Sequence, residues 1–249
     1  MSTPNVFQPA PVAADEEVTE EWRDAHLPSV VAEWHPYLVR QQAESAAAVI
    51  AAADVAPGFT VLDVGCGSGI PTLALAEAVG PVGRVVAVDP SPIFIAAVKK
   101  NARELGLTNV EVVQASAVGL PFPPASFDAA TCHMGAMFFP DLRAGLTRIR
   151  QALRPGKRAA FAAWGPDADN TLFKAFWTAA GPYLPPEAAQ AAPPGPDTPA
   201  PMRFATAGTL SAALRDAGFA DVRETTRRFD LVWPGSPATL RDFWLALTG

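Results

Sequence analysis

Three glycines at alternate positions, Gly65, Gly67 and Gly69, follow an apolar run in the stretch VLDVGCGSGIPTLALA (Val61–Ala76) and precede a helix-like pattern. A turn without side chains lets backbone amides pass close to a ligand. Two acids frame it: Asp63 lies two residues before Gly65, and Asp89 closes a second apolar run 20 residues after Gly69. His133 ends a later apolar run, with a side chain that titrates near neutral pH. A dinucleotide fingerprint reads G-x-G-x-x-G, with a pyrophosphate seated on the following helix N-terminus. Here the spacing is G-x-G-x-G, and the position five after Gly65 is Ile70.

The two acids sharpen that departure. A carboxylate at Asp63, aimed into the same cavity as the bare amides, repels a pyrophosphate and suits a ligand carrying a cation at that end. Asp89 stands where an acid accepts both hydrogen bonds of a ribose diol. The pattern therefore asks for an unphosphorylated, adenosine-like ribose with a positive group beyond it. S-adenosylmethionine has these features, with an α-ammonium, a sulfonium and no phosphate.

Composition bounds the rest. A chain of 249 residues, 49% hydrophobic and 18% charged, can bury one sizeable core with an added cap. The net charge of -6 argues against general nucleic-acid binding. The local basic group Arg143, Arg148, Arg150, Arg154, Lys157 and Arg158 reads as a solvated helix face. Two cysteines, Cys66 and Cys132, are too few for a disulfide framework or a zinc cluster and imply a reducing compartment. The N-terminus lacks the basic start and apolar stretch of a signal peptide, and no uncharged run reaches the roughly 18 residues of a membrane span. These features imply a cytoplasmic protein without a membrane or nucleic-acid partner.

The elements that must position the turn are readable. Residues 1–14 are a Pro- and Ala-rich tail, and 15–56 read as helical and lid-like. From 57 to 249 an alternation of strands and helices follows, which implies an α/β domain: a doubly wound, mostly parallel sheet with helices on both faces. Strand-like runs cover 60–65, 84–89, 110–115, 127–134 and 157–165, with a sixth over 221–231. Ser91-Pro92 opens a helix that Gly106 follows, and a helix over 141–153 is expected to stop at Pro155-Gly156. A Pro-dense insertion at 166–203 sits where a substrate cap would lie.

The blocks VLDVGCGSG, VVAVDPSPIFIAAVKKNARELGL, LPFPPASFDAATC, LRPGKRAAFAAW and AALRDAGFADV stand in order between about Pro57 and Leu231. In these the chain resembles the class I S-adenosylmethionine-dependent methyltransferases, in the branch that includes the ubiquinone/menaquinone C-methyltransferases. The resemblance implies a Rossmann-like fold and roles for single positions. Asp63 would hold the methionine ammonium, with Gly65, Cys66, Gly67, Ser68 and Gly69 lining methionine and ribose. Asp89 would take the ribose hydroxyls, Pro90 and Phe94 would pack near adenine, and Ser116 and Ala117 would contact its edge. Ser116 stands where relatives usually carry an acid. His133, on the wall between cofactor and acceptor, is the candidate catalytic group, either as a cofactor contact or as a base. Trp34, Tyr37, Phe138 and Trp164 are the candidate acceptor contacts.

Other features carry less. Asp167, Asp169 and Asn170 resemble an Asp-Asn metal pair but serve equally as a helix N-cap, and no metal is expected. No Asp/Asn-Pro-Pro-aromatic sequence follows the fourth strand, which disfavours amino methylation of bases or glutamine. Relatives close the sheet with a final antiparallel strand for which no residues remain after the helix at Leu240, Phe243, Trp244 and Leu247. Truncation, a different pairing of the sixth strand, or a second copy completing the sheet in a homodimer would each answer this. The expected activity is methyl transfer to a small apolar or aromatic acceptor, leaving S-adenosylhomocysteine. The alternatives are a non-catalytic cofactor-binding protein and, more weakly, an NAD-dependent oxidoreductase.

Overall fold

The computed structural model describes residues 26–165, 169–171, 174, 178, 197–230 and 232–248. Five strands form one parallel sheet: β1 (Thr60–Val64), β2 (Arg84–Asp89), β3 (Val110–Gln114), β4 (Phe127–His133) and β5 (Leu153–Ala162), in the order β3-β2-β1-β4-β5. Strand order reverses at β1, which has β2 on one side and β4 on the other. A crevice opens beyond the carboxyl ends of strands at such a switch point. Asp63 pairs in register with Ala87 and Thr131, and Asp89 with Gln114, so the two acids sit at that end of the sheet.

The strands read as continuous apolar runs because both faces are covered. Alternation sends Val61, Val85 and Ala129 to one face, against Val49, Leu75 and Val79 from the helices α3 (Ala43–Ala52) and α4 (Thr72–Val79). It sends Leu62, Val64, Val86 and Val88 to the other, where Ile149 and Ala152 of α6 (Leu142–Ala152) pack with Met137. Between β2 and β3 runs α5 (Pro92–Glu104), with Ser91 at its N-cap and Gly106 in a left-handed turn after it. The helices α7 (Thr209–Asp216) and α8 (Pro237–Thr248) close the described chain.

The N-terminal segment is not one helix. It is broken into α1 (His26–Glu33), α2 (His35–Gln41) and α3, and Pro36 marks the first break because it has no N–H to give to the carbonyl four residues back. The first two gather with α8 in a small core of their own, built on Val30, Leu38 and Phe243. The tail and residues 15–25 lie outside the described residues.

Two expectations are corrected. The stretch 221–230 forms no strand, and Leu231 lies outside the described residues. Its only apolar members are Val222 and Phe229, too few to give a strand a buried face, and Glu224 is spent accepting from the backbone N–H groups of Gly208 and Ser211. The helix over 141–153 ends at Ala152, and β5 begins directly at Leu153. Pro155 and Gly156 lie inside β5, where the register with β4 shifts between the pairs Phe127–Leu153 and Ala129–Arg158. Most of the insertion at 166–203 lies outside the described residues, but its return is anchored. Ala200 N–H donates to the Met137 carbonyl at 3.2 Å, and the Arg203 guanidinium to the Phe139 carbonyl at 2.6 Å.

Candidate active site

A cavity of about 430 Å³ lies in the crevice beyond the strand ends, and residues of the expected lid, on α1, α2 and the joint after them, line it. The glycine turn makes its floor. Gly65 and Cys66 donate their N–H groups to the Val88 carbonyl at 2.8 and 3.1 Å, which pins the turn to the end of β2. Gly65 holds φ +70°, and a Cβ there would stand 3.3 Å from the Gly135 backbone, so only glycine suits the position. The N–H of Gly67, itself at φ +51°, turns to Asp89.

Asp89 organises this end. One carboxylate oxygen accepts from Gly67 N–H at 3.0 Å and the other from Ser91 N–H at 2.9 Å. A carboxylate offers about four acceptor directions, so the remainder can take a ligand diol. Asp89 lines the cavity although only 6% exposed, and burial raises its carboxyl to a pKa of about 6. Pro90, Phe94, Ser116 and Ala117 line the same end. Ser116 Oγ accepts from Gly119 N–H at 3.1 Å.

Asp63 is placed differently from its expected role. It is fully buried and does not reach the cavity wall. Thr72 donates to one of its oxygens at 2.6 Å and Thr131 to the other at 2.7 Å. Its charge lies beneath the glycine turn, where burial raises its pKa to about 6 against the lowering effect of the two hydroxyls. The direct ammonium contact drawn from the resemblance is not offered by this arrangement. Gly69 also lies off the cavity, whereas Gly65, Cys66, Gly67 and Ser68 line it.

His133 lines the cavity at the end of β4 and is 4% exposed. Its Nε2 and Ser45 Oγ, from α3, share a hydrogen bond at 2.9 Å. Ser45 Oγ, with its single proton, also lies 3.0 Å from the Gln42 carbonyl. That proton can serve the Gln42 carbonyl, with His133 then donating from Nε2, or it can serve Nε2 itself; in both cases the bond fixes the ring against α3. Desolvation lowers the imidazole to a pKa of about 4, which keeps it neutral. A second tie of the same kind joins lid and floor: His35 Nδ1 and Ser68 Oγ share a hydrogen bond at 2.8 Å.

Of the four expected acceptor contacts, Phe138 and Trp164 line the cavity. Trp34 and Tyr37 do not. They stack in an aromatic cluster with Trp233 and Phe243, Tyr37 lying parallel to Trp233 at 5.1 Å. That cluster packs against the lid, while Leu27, Val31 and Leu38 supply its cavity face. Phe243 and Trp244 of α8 also line the cavity. The sequence marks that stretch only as a helix, and nothing in its periodicity says that it folds back over the glycine turn. Asp169 is held by Arg228 at 2.9 Å, and Asp167 lies outside the described residues.

A parallel sheet with a bare-amide turn at its switch point, and a carboxylate rather than a phosphate cradle facing the cavity, defines an α/β enzyme that takes a phosphate-free adenosine cofactor. A family described as a methyltransferase domain matches residues 61–156. Nocamycin O-methyltransferase of Saccharothrix syringae is 36% identical over 200 residues, which cover 77% of this chain and 70% of that protein. Demethylmenaquinone methyltransferase of Bacillus cytotoxicus is 40% identical over 103 residues, covering 41% of this chain and 44% of that protein. A solved S-adenosylmethionine-dependent methyltransferase from Aquifex aeolicus superposes with a TM-score of 0.57 at 21% identity, over 77% of this chain and 87% of that one, and so shares its fold. The chain belongs to the class I S-adenosylmethionine-dependent methyltransferases. It is an enzyme whose cofactor is S-adenosylmethionine, and the oxidoreductase alternative falls.

The residues present fit that cofactor. The crevice provides a carboxylate with spare acceptor directions, an aromatic ring at Phe94, and a floor under which a second acid adds negative potential.

Proposed function

We propose that the protein transfers a methyl group to a small, largely apolar organic acceptor, with Asp89 taking the ribose hydroxyls and Phe94, Pro90, Ser116 and Ala117 enclosing the adenine. The observation that carries this reading is the continuity of one cavity. It runs from Asp89 and the glycine turn into a chamber walled by Leu27, Val31, Met137, Phe138, Trp164 and Trp244. A mostly apolar chamber with few polar groups is built to surround an organic molecule and exclude water. The relatives named for nocamycin and demethylmenaquinone are in keeping with such an acceptor.

S-adenosylmethionine supplies the activated methyl group. The chain's own contribution is positional: an in-line displacement is accelerated mainly by holding nucleophile and methyl in a near-attack geometry. The lid and α8 enclose the chamber, and the Asp63 charge beneath the turn favours a cationic ligand. His133 serves as a neutral wall. With Nε2 bonded to Ser45 and a pKa near 4, it is a weak base, so the acceptor's proton leaves by another route.

Calorimetry with S-adenosylhomocysteine tests the cofactor end, where Asp89→Ala should cost at least about tenfold in affinity. Thermal shift with a panel of small aromatic and aliphatic molecules, in the presence of S-adenosylhomocysteine, tests the chamber. Stabilisation by polar, highly charged molecules alone would sink the apolar-acceptor reading.

A further inference from the structure

The polar side chains lining the cavity divide sharply. Ser68 is tied to His35, Ser116 accepts from Gly119, and His133 is bonded to Ser45. Asp89 accepts from Gly67 and Ser91, and Asp141 caps α6 by accepting from Ala144 N–H. Each of these has a partner within the protein. The two that remain are Gln41 and Gln42, at the joint between α2 and α3, and neither carboxamide has a hydrogen-bond partner among the described residues.

Their backbone is not loose. Gln42 N–H donates to the Leu38 carbonyl at 2.9 Å, and the Gln42 carbonyl lies 3.0 Å from the Ser45 hydroxyl that also holds His133. The joint is thus fixed beside the wall residue at the end of β4. The two glutamines line the cavity from a lid whose other lining residues, Leu27, Val31 and Leu38, are apolar. A half-buried amide without a partner gains from a ligand that completes its hydrogen bonds, and in an apolar surround it selects strongly for that ligand.

We infer that Gln41 and Gln42 are specificity-determining residues that read a neutral oxygen, a hydroxyl or carbonyl, on the otherwise apolar acceptor. Each carboxamide can donate to a carbonyl and accept from a hydroxyl, so the pair recognises an oxygenated edge without demanding charge. A charged group would bring a desolvation cost into the apolar chamber that neutral amides cannot offset. This inference rests on the reading of the chamber as an acceptor site. The same carboxamides have the chemistry to hold the carboxylate at the amino-acid end of the cofactor, and the test separates the two.

The probes are 1-naphthol and naphthalene, which share a bicyclic skeleton and differ in one oxygen that stays neutral at the working pH. Binding of each is measured by calorimetry on the full chain saturated with S-adenosylhomocysteine, for the wild type, Gln41→Leu, Gln42→Leu and the double variant. Affinity for S-adenosylhomocysteine alone is measured in parallel and also reports folding. The wild type should prefer the oxygenated probe by about tenfold or more, and the double variant should erase that preference with cofactor affinity unchanged. A preference that survives both substitutions overturns the proposal and leaves the chamber reading intact. A matching loss of S-adenosylhomocysteine affinity assigns the carboxamides to the cofactor and overturns it too. Failure of both probes to bind the wild type overturns the apolar chamber itself, and the proposal with it.

Discussion

Ser45 on α3 and His133 at the end of β4 share a 2.9 Å hydrogen bond that joins the helical lid to the cavity wall. Together with the bond between His35 and Ser68, it makes two His–Ser ties from the lid, one to the cavity wall and one to the glycine turn. Each places a neutral imidazole where a charged one would be poorly solvated, and burial lowers both pKa values.

Replacing Ser45 with Ala removes the partner of a buried imidazole nitrogen. The cost should be about 1–3 kcal/mol, read as a lower midpoint in urea unfolding. S-adenosylhomocysteine affinity should fall with it, because the lid is then held by one tie instead of two. Unchanged stability and affinity would show that the bond does not hold the lid.

The two buried acids predict how cofactor binding responds to pH. Asp63 and Asp89 both have pKa values raised to about 6, with burial the main cause. A cationic ligand with a ribose diol needs them ionised, so affinity for S-adenosylmethionine should drop as pH falls through 6. If Asp89 alone governs, binding at pH 5 should be roughly tenfold weaker than at pH 7.5. The unliganded protein should respond oppositely. A raised folded-state pKa contributes stability that is fully present below the unfolded value of 3.8 and lost as pH rises through about 6. Isothermal titration at both pH values checks the first sign, and a flat profile would remove the ionised carboxylates from the binding site.

The glycine turn makes a sterically specific prediction. Gly65→Ala forces a Cβ to within 3.3 Å of the Gly135 backbone at a φ of +70°. The left-handed conformation alone costs about 1–2 kcal/mol for a residue with a Cβ. Thermal unfolding should show that loss, and S-adenosylhomocysteine affinity should fall as well because Gly135 lines the same cavity. The same substitution at Gly156, where a Cβ would meet no heavy atom within 4 Å, carries only the conformational part and should leave affinity untouched.

Much of this site was legible because it is local. The turn, its early third glycine, Asp89 at the end of β2 and Phe94 one turn into α5 are all fixed by a strand and the helix after it. The pieces missed are those set by long-range packing. Trp34 and Tyr37 read as acceptor contacts because aromatic residues on a lid invite that role. In the folded chain Trp233 and Phe243, about 200 residues away, claim their rings. Gln41 and Gln42 gave no signal, since a glutamine at a helix joint is ordinary until the cavity beneath it is known. Asp63 was expected to face the ligand, but sequence could not show that Thr72 and Thr131 would close over its oxygens. Register across β4 decides that, and alternation within β1 does not.

Thr131→Val isolates that last relationship. Valine has nearly the shape of threonine but cannot donate, so one oxygen of the fully buried Asp63 loses its partner. Without that bond the charged form loses support, and the raised pKa of Asp63 should move higher still. Stability should therefore fall by about 1–3 kcal/mol at pH 7.5, where the carboxylate is ionised. Near pH 5 the deficit should shrink, because Asp63 takes up a proton and no longer needs both hydroxyls. Urea unfolding at the two pH values gives the comparison. An equal deficit at both would mean that Thr131 serves packing alone, and that the charge beneath the glycine turn is not sustained by the two threonines.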